Sequence, residues 1–86
     1  MAAPIRIGPL PGPEALDLAQ ALAVRGITGR PIRATGRFEV VVHDSHEDPD
    51  RLVHDLVDAL EEWLADRGRL EVGVRIAGSE QTVHAA

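Results

Sequence analysis

The densest chemistry in this chain lies in His43-Asp44-Ser45-His46-Glu47-Asp48-Pro49-Asp50, with His54 a helical turn beyond Asp50. Neutral imidazoles and carboxylates are good ligands for zinc, nickel and similar divalent ions. Asp50 and His54 are four residues apart, so on a helix they are neighbours on one face. His43 and His46 can reach in from the loop before it. The candidate metal ligands are therefore His43, His46, Asp50 and His54, and no cofactor other than that divalent ion is indicated. The same residues also have a plainer reading. A loop entering a helix favours Ser and Asp as caps and further carboxylates near the positive helix end, with no ligand required.

Asp44-Ser45-His46 contains the residue types of a hydrolytic triad. Successive residues of an extended segment point to opposite faces, so these three cannot form the relay among themselves. No catalytic residue is assigned, and the balance leans away from an enzyme. Asp44-Ser45 also begins the Asp-Ser-Leu motif of acyl carrier proteins. His46 stands in place of the Leu, and the preceding residues read as strand where carriers are helical. Pro11-Gly12 followed by Gly26-Ile27 resembles the first strand-helix-strand of ACT regulatory domains, over about a fifth of the chain. That resemblance implies an element order, which by itself carries no function.

The elements that must position these residues can be read along the chain. Pro4–Gly8 alternates as a short strand, with Ile5 and Ile7 inward and Arg6 outward. Gly8-Pro9-Leu10-Pro11-Gly12-Pro13 then reads as a loop, because three prolines cannot donate to a ladder. Pro13 suits the first position of a helix that runs to Arg25 and is closed by Gly26. Its expected apolar face is Leu16, Leu18, Ala19, Leu22 and Ala23. Arg30–Thr35 is a second strand with Ile32 and Ala34 inward, and Pro31 places it at an edge. After a turn near Gly36, Arg37–His43 forms a third strand with Phe38, Val40 and Val42 inward. Asp48 can cap the second helix and Pro49 can take its first position. Leu52, Val53, Leu56, Val57, Leu60, Trp63 and Leu64 then recur at helical spacing until Gly68. In Arg69–Ile76, Leu70, Val72, Val74 and Ile76 alternate with Arg69, Glu71, Gly73 and Arg75. Residues 1–78 are read as one α+β domain and 79–86 as a polar C-terminal tail.

The order β-α-β-β-α-β, with in/out alternation in every strand, implies a ferredoxin-like sandwich. A four-stranded antiparallel sheet would carry two helices on one face, leaving the other face open. Arg6, Arg33, Glu39, Val41, Glu71 and Arg75 are expected on that open face as an interaction surface.

Composition narrows the rest. The chain has 86 residues, a formal net charge of −5 and no cysteine, which rules out disulfides, thiolate metal sites and cysteine nucleophiles. All nine basic residues are Arg, so lysine Schiff bases and Walker-type phosphate lysines are excluded. A negative domain repels phosphate backbones, and stacking aromatics are not expected on the open face, which argues against nucleic acid. No apolar run approaches a membrane span, and residues 1–8 lack the apolar stretch of a signal peptide. The expected location is cytoplasmic. The function expected is a non-catalytic protein-interaction or regulatory module, binding another protein or a second copy of itself and most economically homodimeric through the open sheet face. The alternatives are a metal-binding domain using the histidine cluster, and a small enzyme whose active site lies at a subunit interface.

Overall fold

A computed structural model describes residues 4–43 and 49–86. The elements are β1 (Ile5–Leu10), α1 (Gly12–Val24), β2 (Gly29–Ala34), β3 (Arg37–Val42), α2 (Pro49–Arg67), β4 (Glu71–Ile76) and β5 (Ser79–His84). The strands form one antiparallel sheet in the order β2-β3-β1-β4-β5. The chain is thus α+β, with five strands where the sequence suggests four. Both helices lie on one side. Their buried residues form a single core with Ile5, Ile7, Val40, Val42, Val72, Val74 and Val83 from alternating positions of four strands.

The fifth strand is the main correction. Residues 79–86 are polar and read as a tail, yet Ser79–His84 pairs with β4 along its whole length. Ala77 and Gly78 both take positive φ, 50° and 85°, the geometry of a tight primed hairpin turn. An edge strand covered on one face needs few apolar residues. Val83 alone is buried, at 9% exposure, with Ala85 packed beside it. β5 lies under α2, and the Ala86 N–H reaches the Glu61 carbonyl.

Both helices end as their glycines imply. Gly26 and Gly68 have φ of 77° and 71°. Ile27 N–H bonds to the Leu22 carbonyl and Arg69 N–H to the Leu64 carbonyl, so each end is a Schellman cap. Of the α2 residues expected to face inward, Leu52, Leu56, Leu60, Trp63 and Leu64 are buried and Val53 and Val57 are half-buried at the margin, while Ala59, absent from the expected stripe, is also buried. Its expected cap, Asp48, lies outside the described residues. In α1 the buried set is Ala15, Leu18, Ala19 and Leu22, whereas Leu16 is 54% exposed. At about 100° per residue, that stripe excludes Leu16.

Three local expectations are overturned. β1 does not stop at Gly8. It shifts register between Ile7 and Leu10 and continues, with Leu10 fully buried opposite Phe38. A strand irregularity is one of the few places that tolerates Pro9. β2 faces the opposite way to its apolar pattern. Its register sets Ile32 opposite Glu39 and Arg33 opposite Phe38, so Ile32 is on the open face and Arg33 on the helix side. Gly29 explains the inversion: a Cβ there would lie 2.8 Å from Val40 Cγ1 and 3.3 Å from Leu22 Cδ1, so the helix side has room only for glycine at this position. Leu70, expected inward, is 82% exposed. It stands in the connection before β4 begins, ahead of the alternation that turns Val72 and Val74 inward.

Candidate functional site on the open sheet face

The face without helices is built on one row of cross-strand partners. Arg30 lies opposite Val41, Val41 opposite Arg6, Arg6 opposite Arg75, and Arg75 opposite Glu80. Like charges directly opposite each other destabilise a sheet. Two carboxylates relieve the Arg6/Arg75 pair: Glu39 Oε1 lies 3.4 Å from Arg6 Nη1, and Glu80 Oε1 lies 3.4 Å from Arg75 Nη2. Two rows further along β4, past Gly73, Glu71 lies 3.6 Å from the His84 imidazole.

Between these charges the face sinks into a trough of about 540 Å³. Its walls include Arg6, Glu39, Arg69, Glu71, Arg75, Glu80 and Thr82, and its floor is Gly8 and Gly73. The floor is glycine because backbone approaches backbone. A Cβ on Gly73 would lie 3.0 Å from the Gly8 carbonyl oxygen. A Cβ on Gly8, whose φ is 138°, would lie 3.0 Å from the Phe38 carbonyl oxygen. The strand irregularity in β1 therefore both shapes the floor and removes side chains from it. Arg69, on the rim, is held from outside by Glu14 of α1.

Of the residues expected on this surface, Arg6, Glu39, Glu71 and Arg75 line the trough. Arg33 does not, since the β2 register turns it to the other side. Val41 is on the open face but only 2% exposed, with Arg6 and Arg30 as its flanking partners, so it offers a partner almost no area. Glu80 and Thr82 were missed because they belong to the strand read as a tail. Gly8 and Gly73 were missed too, although an outward glycine inside a strand pattern is a known sign of close backbone approach.

The histidine cluster is less concentrated than its sequence. His43 is exposed just after β3, Asp50 is exposed in the first turn of α2, and His46 lies outside the described residues. His54 is exposed on α2, with Asp58 Oδ2 at 3.8 Å from its Nε2. Among the described residues, no three ligand-type side chains gather as a metal site would require. No described helix is long and apolar enough to cross a membrane.

These features define a small α+β protein with a charged, glycine-floored trough on its uncovered sheet face. The chain matches no family model, no curated protein and no solved structure to which it was compared.

Proposed function

We propose that this protein is a non-catalytic interaction module, ferredoxin-like in architecture with an added edge strand, whose working surface is the trough on the open sheet face. The order β2-β3-β1-β4, with a helix in each crossover and both helices on one side, supports the architectural reading. The partner proposed is another polypeptide presenting an extended segment of mixed charge.

One observation carries the functional reading. The trough is floored by backbone, and its walls hold arginines and glutamates already paired with each other. Paired charges of both signs suit recognition by exchange of ion pairs, in which an incoming carboxylate replaces Glu39 or Glu80 and an incoming cation takes the released acid. A bare glycine floor lets a second main chain approach closely.

Titrating the isotope-labelled protein with extended peptides of alternating charge tests this reading. Amide shifts confined to Gly8, Gly73, Arg75 and Thr82, and strongly weakened by Arg75→Ala, are the expected result. Binding that maps elsewhere, or that Arg75→Ala leaves unchanged, rejects the open face as the working surface.

A further inference from the structure

The two edges of the sheet are not equivalent, and the difference follows from hairpin phase. A two-residue primed turn makes its flanking residues a hydrogen-bonded pair, after which bonded and non-bonded pairs alternate. In the β2-β3 hairpin the turn is Thr35-Gly36, with φ of 48° and 78°, and Ala34 faces Arg37. Counting back, Gly29, Pro31 and Arg33 aim their main-chain groups away from β3. Pro31 has no N–H, and a charged side chain follows two residues on, so this edge is blocked in the usual manner.

The β4-β5 hairpin turns on Ala77-Gly78, and Ile76 faces Ser79. Ser79, Gln81 and Val83 therefore bond to β4, and Glu80, Thr82 and His84 aim their N–H and C=O groups outward. There is no proline in β5 and no interruption in its pairing.

We infer that β5 pairs with β5 of a second copy of this chain, antiparallel about a two-fold axis through Thr82, to form one continuous sheet across both molecules. Only this register engages all three outward residues of each strand. Glu80 bonds to the copy's His84, Thr82 to the copy's Thr82, and His84 to the copy's Glu80, giving about six main-chain hydrogen bonds. The side chains agree with that register. Glu80, Thr82 and His84 share the open face, so each Glu80 carboxylate meets the imidazole of the opposing His84. The row across the junction then reads Arg75, Glu80, the copy's His84, the copy's Glu71, with carboxylates and basic groups alternating. Shifting one copy by two residues would set Glu80 against Thr82 and lose both the charge match and one of the three bonded pairs. Because Glu80 and Thr82 also line the trough, pairing joins the two troughs into a single concave surface. The inference does not depend on the peptide-binding reading, since it concerns the strand edge.

Sedimentation over a concentration series, together with single-cysteine crosslinking, tests it. The mass is expected to double as concentration rises. Thr82→Pro deletes only outward N–H groups, and should raise the dissociation constant about tenfold or more. The chain has no cysteine, so Thr82→Cys introduces its one thiol. Opposed Cα atoms of a bonded antiparallel pair lie about 5.5 Å apart, within the disulfide range. Mild oxidation should link Thr82→Cys into a dimer and leave Ile32→Cys, near the blocked edge, monomeric. A monomer at every concentration up to the millimolar range overturns the inference. So does a dimer that persists in Thr82→Pro while Thr82→Cys and Ile32→Cys crosslink equally.

Discussion

Trp63 Nε1 donates a 2.8 Å hydrogen bond to Asp17 Oδ2, and this contact ties the second helix to the first. Asp17 also lies 3.4 Å from Arg67 Nη1, and the Arg67 guanidinium sits 5.8 Å from the centre of the Trp63 ring. Glu14, one turn earlier, holds Arg69 and lies 3.9 Å from Arg67 Nε. The acids of α1 thus meet the basic end of α2, where the negative end of the helix dipole adds to the attraction for Arg67.

The indole N–H of Trp63 is inaccessible enough that losing its acceptor should be felt. Asp17→Ala is expected to cost about 1–3 kcal/mol, and Asp17→Asn, which keeps an acceptor, clearly less. Urea denaturation followed by the emission of Trp63, the single tryptophan, measures both.

The trough floor should be intolerant of side chains. Gly8→Ala meets the Phe38 carbonyl oxygen and must also adopt a φ of 138°, so a loss of about 2 kcal/mol or more is expected. Gly36→Ala has open space and pays only the positive φ, so about 1 kcal/mol is expected there. Parallel thermal melts of the two variants give the comparison, and equal losses would mean that the contact with Phe38 is unimportant.

β5 should behave as part of the folded unit. Val83→Ala is expected to lose about 1–3 kcal/mol by removing buried methyl groups from beneath α2, while Thr82→Ala on the open side stays within about 0.5 kcal/mol. Truncation after Gly78 should broaden the unfolding transition, as seen by circular dichroism, because it uncovers the part of α2 that β5 now covers.

Ion pairs should differ according to burial. Glu14 is 21% exposed and serves two arginines, so Glu14→Gln is expected to cost about 1 kcal/mol. Arg25 pairs with Glu62, which is 65% exposed, and Arg25→Ala should cost less than about 0.5 kcal/mol. Repeating both measurements in high salt should shrink the Arg25 effect further.

Local order was readable wherever a single element decides it. The α2 stripe, the two glycine caps and the inward Val72 and Val74 follow from the 3.6 and 2 periods and from left-handed geometry, all properties of neighbouring residues in the chain. Pro31 likewise marked an edge strand, because a missing N–H has the same consequence in any fold. The surface needed more. Arg33 turned away from the open face because the hairpin register, the Gly29 contacts and α1 together outweigh the apolar character of Ile32. Ser79–His84 became a strand because β4 supplied a ladder and α2 supplied cover for Val83. The trough required two glycines from separate strands to meet, with Glu39 and Glu80 neutralising arginines that only the sheet brings together. Periodicity is a local property that sequence spacing records directly. Register, edge and concavity depend on contacts between distant segments, so only the tertiary structure decides them.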